Sequence, residues 1–408
     1  MKSRLFILLI LSSLFFSFTV DWGFFGHRRI NKLACFTLPQ DLFGFYKSNI
    51  DYIADHAVDP DKRRYASKFE AIRHYIDLDI WGEAPFNNIP RNWTNVMMHF
   101  TSIQEINSRG DTSTWLSTED LPYNLKAPAK YFEFKDKAID YYAYRGFIIK
   151  QVLSTYYDDD RGIDKNQLRA FFKAYGIDVK KNSSYFAKDE FSEHGIVPYH
   201  LVKMQERLKK AFLEKDIPRI LRTSAELGHY LGDAHVPLHT TENYNGQLTD
   251  QLGIHGFWES RIPELFADAH YDYFVGKANY IEDKEDYYWD IVLDSHALVD
   301  SVLLIEKELS RTFPQDQQIC YDDRGNQLTK TQCRVYAKAY SDRMNGMVEE
   351  RMRAAILAIG SAWYTAWVDA GQPTLAPFDD NEEALLSEED KELEKAYDAN
   401  KIKGREHN

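Results

Sequence analysis

HYLGDAHVPLHTTENYNGQLTDQLGIHGFWE, residues 229–259, carries metal-ligand side chains at helical spacing. His229 and Asp233 are four residues apart, and His255 and Glu259 repeat the interval. On a helix, each such pair faces one way. Pro237 closes the first helix because its ring clashes with the preceding turn, and His239 follows just beyond it. Imidazole and carboxylate groups in this arrangement suit zinc. One of these residues alone would carry little, since a lone His on an apolar helix face is more often a packed core residue. Five in so short a stretch reverse that reading.

Outward from this stretch the pattern is helical. Ile217 to Asp233 is the ligand helix, and Pro198 to Lys215 is an amphipathic one with Leu201, Val202, Met204, Leu208 and Phe212 as its apolar positions. Residues 278–311 and 335–370 supply further helices, as do 28–58, anchored by Leu42, Phe43, Phe45 and Tyr46. Tyr131 to Tyr157 reads as a helix with an aromatic face. Residues 80–135 are rich in turn formers, among them Pro85, Asn87, Asn88, Pro90, Gly110 and Pro122. Asp158-Asp159-Asp160-Arg161-Gly162 lacks the spacing of a calcium loop and reads as a solvated turn. With no repeat and no clean strand alternation, the prediction is a mostly α, multi-helix single domain over 22–376, followed by an acidic polar tail over 377–408.

The 408 residues carry a formal net charge of −13, which offers no basic footprint for a stable nucleic-acid complex. Lys2 and Arg4 before the apolar run Leu5 to Val20 read as an export signal over residues 1–21, short for a membrane anchor. Val20-Asp21 is not a small-residue cleavage site. The expected compartment is periplasmic or extracellular, where Cys320 and Cys333 could pair and Cys35 would stay a buried thiol.

The ligand stretch resembles the zinc-dependent phospholipase C family and its relatives, the fungal-type single-strand nucleases. Both carry a His-x-x-x-Asp helix, a His six residues after the Asp, and then His-x-x-x-Asp or His-x-x-x-Glu; this chain has His229, Asp233, His239, His255 and Glu259 in that order. His229-Tyr-Leu-Gly-Asp233, Glu259 and the short gap from His239 to His255 look like the phospholipase branch, whereas His235 and the Trp22–His27 spacing look like the nuclease branch. The resemblance implies two or three zinc ions. Asp59, His74, His229 and Asp233 would hold one, and His239, His255 and Glu259 a second. Trp22, through its own amine and carbonyl, and His27 would hold a third, with Asp233 bridging. Only cleavage directly before Trp22 would free that amine; otherwise Trp22 is an ordinary core aromatic. Asp59 meets the family's spacing to His74, with Asp55 and Asp61 as rivals in a loop that also reads as a solvated Asp-Pro-Asp turn. His56 and Asp77 could orient a ligand. His99, His194, His200, His270, His296 and His407 lack paired spacing and read as structural or solvated.

The activity implied by the resemblance is hydrolysis of a phosphodiester by a hydroxide bridging two metal ions, with Asp59 as ligand and water-orienting base. A phospholipid, met in transient contact with a membrane surface, is the favoured substrate, and single-stranded nucleic acid is second. A catalytically silent, zinc-stabilised binding protein is the rival from outside the enzymes.

Overall fold

The computed structural model describes residues 24–65, 67, 69–121, 129–153, 163–324 and 327–375. The expected export signal, Trp22, the Asp158–Asp160 run, His407 and the 377–408 tail lie outside them.

Helices α1 (Phe24–Ala34), α2 (Gln40–Ser48), α3 (Ile50–Asp55) and α4 (Asp59–Arg63) occupy the predicted 28–58 segment and the turn after it. They are separate because Pro39 holds Leu38 extended, and because Asn49 leaves helical geometry while its side chain donates to Phe45 O at 2.8 Å.

A second lobe comes next in the chain. It holds α5 (Trp93–Phe100), β1 (Thr101–Ile106), β2 (Thr112–Leu116), β3 (Tyr131–Phe134), β4 (Lys137–Asp140), α6 (Tyr141–Ile148), α7 (Lys165–Lys173) and β5 (Ser184–Asp189). The antiparallel sheet β2–β1–β5 and the hairpin β3–β4 enclose their own core around Trp115, Phe134, Phe172 and Tyr185. The helix predicted from Tyr131 is therefore corrected to a hairpin that runs into α6. Phe132, Phe134 and Ile139 are buried at alternate positions, and Lys135 and Asp136 both take left-handed φ in the turn. Asp140 then caps α6, accepting from Ala143 N–H at 2.9 Å.

The rest is helical: α8 (Val197–Glu214), α9 (Ile217–Ala234), α10 (Ile254–Gly256), α11 (Ile262–His270), α12 (Lys284–His296), α13 (Val299–Thr312), α14 (Arg334–Arg343) and α15 (Met347–Asp369). A hairpin, β6 (Ile319–Arg324) with β7 (Gln327–Gln332), joins α13 to α14 and is closed by the Cys320–Cys333 disulfide. Cys35 is a buried free thiol.

The protein is mostly α, and α9 is its axis. Asp216 caps α9 by accepting from Arg219 N–H at 3.2 Å, and Pro218 occupies its first turn. Every residue from Leu227 to Ala234 is buried. Gly228 and Gly232 leave α9 without side chains where α1 crosses it: a Cβ on Gly228 would overlap Asn31, and one on Gly232 would stand 2.9 Å from His27 Nδ1. That close crossing brings His27 to the buried end of α9.

Candidate metal centre

Three groups of ligand atoms converge at the C-terminal end of α9, with each group's atoms within 4.8 Å of one another: His27, His229 and Asp233; Asp61, His74 and His229; His239, His255 and Glu259. His229 belongs to two of them. Asp233 lies between all three. Its Oδ2 stands 2.8 Å from His74 Nδ1 and 3.2 Å from His229 Nε2, and its Oδ1 is 3.3 Å from His27 Nε2 and 3.9 Å from His239 Nε2. Glu259 closes the far end, with Oε2 2.8 Å from His255 Nε2 and 3.5 Å from His239 Nε2, and Oε1 3.5 Å from His27 Nε2.

Local structure aims each group. His229 and Asp233 are one turn apart on α9. Pro237 ends that helix as predicted and starts a 3-10 turn, Pro237–Thr240, that carries His239. His255 sits on α10, and Glu259 on a π-helical turn, Phe257–Arg261, that continues into α11. Wider turns of this kind often mark functional sites.

The outer ring nitrogens explain why the inner ones face inward. His229 Nδ1 donates to Ala57 O at 2.8 Å, His239 Nδ1 to His74 O at 2.8 Å and His255 Nδ1 to Tyr244 O at 3.1 Å. A carbonyl can only accept, so each ring carries a proton on Nδ1 and turns Nε2 into the cluster, where a neutral ring would present a lone pair. This is the orientation that metal-binding imidazoles require.

The charges call for cations. Burial alone would raise the Asp233 carboxyl, but His229, His239 and His74 hold it well below the usual carboxylate range. Glu259 is likewise held well below that range, because His239, His255 and His27 outweigh its burial. Asp61 is lowered too: burial works against this, and His229, Arg64 and His74 overcome it. Burial disfavours charge on His27, yet Glu259 and Asp233 push it up to about 9. Three ionised carboxylates in a nearly dry pocket need positive charge beside them, either as protons on imidazoles or as metal ions. The inward-facing nitrogens are placed to hold either.

One expected position shifts. Asp61, one of the rivals, is brought to the cluster, 3.8 Å from His229 Nε2 and 3.9 Å from His74 Nδ1. Asp59 is turned away into a bond with His56 Nδ1 at 2.5 Å and with Lys62 at 3.2 Å. Helical spacing is the physical reason: both acids lie on α4, and residues two apart on a helix do not face the same way. Asp55, the other rival, makes a 3.9 Å surface pair with Arg28. His56 thus orients Asp59 and not a cluster residue. His235, despite lying between two ligands in sequence, donates Nδ1 to Leu231 O at 2.7 Å and belongs to none of the three groups. Neither do His99, His194, His200, His270 and His296.

Sequence reasoning misses two neighbours. Arg64 is nine-tenths buried, with Nε 3.6 Å from Asp61 Oδ1; its Nε and Nη1 have no hydrogen-bond partner among the described residues. Glu70 stands behind His74, with Oε1 3.6 Å from Nε2. Helical spacing is the available signal for both: Arg64 is three residues after Asp61, and Glu70 four before His74.

Compared with protein-family models and with curated proteins, the chain matches none.

Proposed function

We propose that the chain is a zinc-dependent hydrolase of phosphodiester bonds, of the phospholipase C kind. The observation that carries this reading is the convergence of five imidazoles and three carboxylates, ionised against their burial, on one buried space. His27, Asp61, His74, His229, Asp233, His239, His255 and Glu259 would hold two or three zinc ions. When bound, zinc would supply Lewis acidity toward phosphoryl oxygens and lower the pKa of a coordinated water.

The chain's own residues do the rest. Asp61 takes the water-orienting role expected of Asp59, since only its carboxylate reaches the cluster. Arg64 pairs with Asp61 through Nε at 3.6 Å, and its Nη1, without a hydrogen-bond partner among the described residues, offers a donor to an anionic phosphoryl oxygen. The carbonyls of Ala57, His74 and Tyr244 keep the imidazoles from turning.

A bulky apolar phosphodiester, a phospholipid, is the favoured substrate. The loop joining His239 to His255 exposes Leu248 (66%) and Leu252 (77%), two apolar side chains suited to a lipid surface. A net charge of −13 gives a polynucleotide no general attraction. Export to the periplasm or beyond is part of the proposal, and the Cys320–Cys333 bond is compatible with it. The second reading, a single-strand nuclease, is favoured by Tyr131 and Tyr142, exposed on the second lobe and able to stack on bases.

The test is kcat/KM on a short-chain phosphatidylcholine and on a single-stranded oligonucleotide at matched low salt, with and without a chelator. The lipid should be preferred, and the chelator should abolish turnover. An oligonucleotide preferred about tenfold or more, roughly 1.4 kcal/mol of discrimination, would replace the lipid reading with the nuclease one. Zinc without turnover of either substrate would favour a binding protein.

A further inference from the structure

His74 differs from the other cluster imidazoles. His229, His239 and His255 hold Nδ1 against backbone carbonyls and face inward through Nε2. His74 is reversed: its Nδ1 faces the cluster, 2.8 Å from Asp233 Oδ2 and 3.1 Å from His229 Nε2. Among the described residues its Nε2 has no hydrogen-bond partner, carbonyl or other. The carboxylate of Glu70, 1% exposed, stands behind it at ion-pair distance, 3.6 Å.

Glu70 is itself held from several sides. Arg73 Nη1 donates to its Oε2 at 2.6 Å, Arg63 Nε lies 3.4 Å from the same oxygen, and the Tyr230 hydroxyl donates to Oε1. Arg63 also donates to Glu226 at 2.5 Å. Two arginines and two glutamates therefore form a neutral quartet against the back of His74.

We propose that Glu70 is a positioning residue for the metal centre: it holds the proton of His74 on Nε2 and so presents the Nδ1 lone pair to the cluster. The inference rests on the metal reading above. A carboxylate behind a ligating imidazole fixes its tautomer and raises its basicity, and loss of such a partner typically weakens metal binding about 10–100-fold. The effect extends beyond one ligand. The backbone carbonyl of His74 receives the proton of His239 Nδ1, so a displaced His74 also loosens a ligand of the third group.

Charge and position are separable. Glu70→Gln and Glu226→Gln remove the same unit of charge from the quartet, but only Glu70 touches His74. Zinc affinity of the purified full-length protein, measured by competition with a chromophoric chelator, should fall about tenfold or more in Glu70→Gln and stay within about threefold of the parent in Glu226→Gln. Equal weakening in both would overturn the positioning role and leave only loss of charge. In the zinc-loaded parent, which needs no substitution, nitrogen NMR of the histidine rings should show His74 protonated on Nε2. A proton on Nδ1 would overturn the inference even if Glu70→Gln failed to fold. A parent protein that binds no zinc would overturn the metal reading itself, whereas a zinc-binding parent with a normal Glu70→Gln overturns only the role of Glu70.

Discussion

Around His229 a buried interior is made of polar groups; around Trp115 an equally buried one is made of rings. In the first, Asp233 and His229 are surrounded by four further imidazoles and two carboxylates. In the second, Trp115 meets Phe134 at 4.9 Å, Phe172 at 4.7 Å and Tyr185 at 5.4 Å between ring centroids. Burial is the same and its cost is opposite. A charge out of water needs a partner charge, while an aromatic ring out of water needs only close contact. Damage to the first region should therefore appear in metal content and turnover, and damage to the second in stability alone.

The largest effect belongs to Asp233, whose carboxylate lies within 3.9 Å of side chains from all three groups. Asp233→Asn should lower phosphodiester turnover by about a hundredfold or more and reduce zinc per chain, since even outer partners of metal ligands cost about 10–100-fold. His239→Ala, which removes a ligand from one group, should hurt less. Elemental analysis beside turnover checks both, and equal, mild losses would mean that Asp233 does not bridge. Next come the paired acids. Asp61→Asn should cost at least about tenfold in turnover and zinc affinity. Asp59→Asn should cost less than about threefold, because its carboxylate is engaged by His56 and Lys62. The reverse order would return Asp59 to the ligand set.

Trp115→Ala tests the other side of the contrast. The cavity it opens should destabilise the lobe by about 3–5 kcal/mol, seen as an early transition in thermal unfolding. Zinc content and turnover of a small soluble phosphodiester should stay within about threefold below that transition. A loss of zinc would show that the two interiors are coupled.

The same contrast explains which features are legible in the sequence. His229 and Asp233 four residues apart on α9, and Pro237 at its end, are local facts, so the helix and five of the candidate ligands can be read directly. Asp61 is visible only as a rival, because which of two acids on the short helix α4 faces inward depends on how that helix packs. The lobe is non-local: β1 pairs with β5 through Ile103 and Ala187, and no window of sequence contains both. Its aromatic residues fit one face of a helix as well as one face of a hairpin, and at Tyr131 the turn residues Lys135 and Asp136 offer no glycine to decide between them. The Cys320–Cys333 pair is legible as an even choice, and the structure forms it.

His235 provides the finest test, because it lies in the ligand-rich stretch yet is packed like a core residue. Burial pushes its pKa down to about 3, and Arg351 adds to the shift. An unfolded chain's histidine takes up its proton near the ordinary value, about 6.5. Between these two pH values the unfolded state binds the proton and the folded state does not, so stability falls as pH drops through this window. At pH 5 the loss is about 2 kcal/mol. His27, raised to about 9 by Glu259 and Asp233 against its burial, has the opposite sign. Without metal, its contribution is full below about 6.5 and is lost as pH climbs toward 9. Urea unfolding of the zinc-free protein at pH 7 and pH 5 separates the two. His235→Gln should lose less stability than the parent between those values, while His27→Gln should lose more, because the folded parent holds a proton there that the variant lacks. If His235→Gln instead matches the parent at both values and sheds zinc in the loaded protein, His235 belongs with the ligands, and the boundary between the polar interior and the packed one runs on its other side.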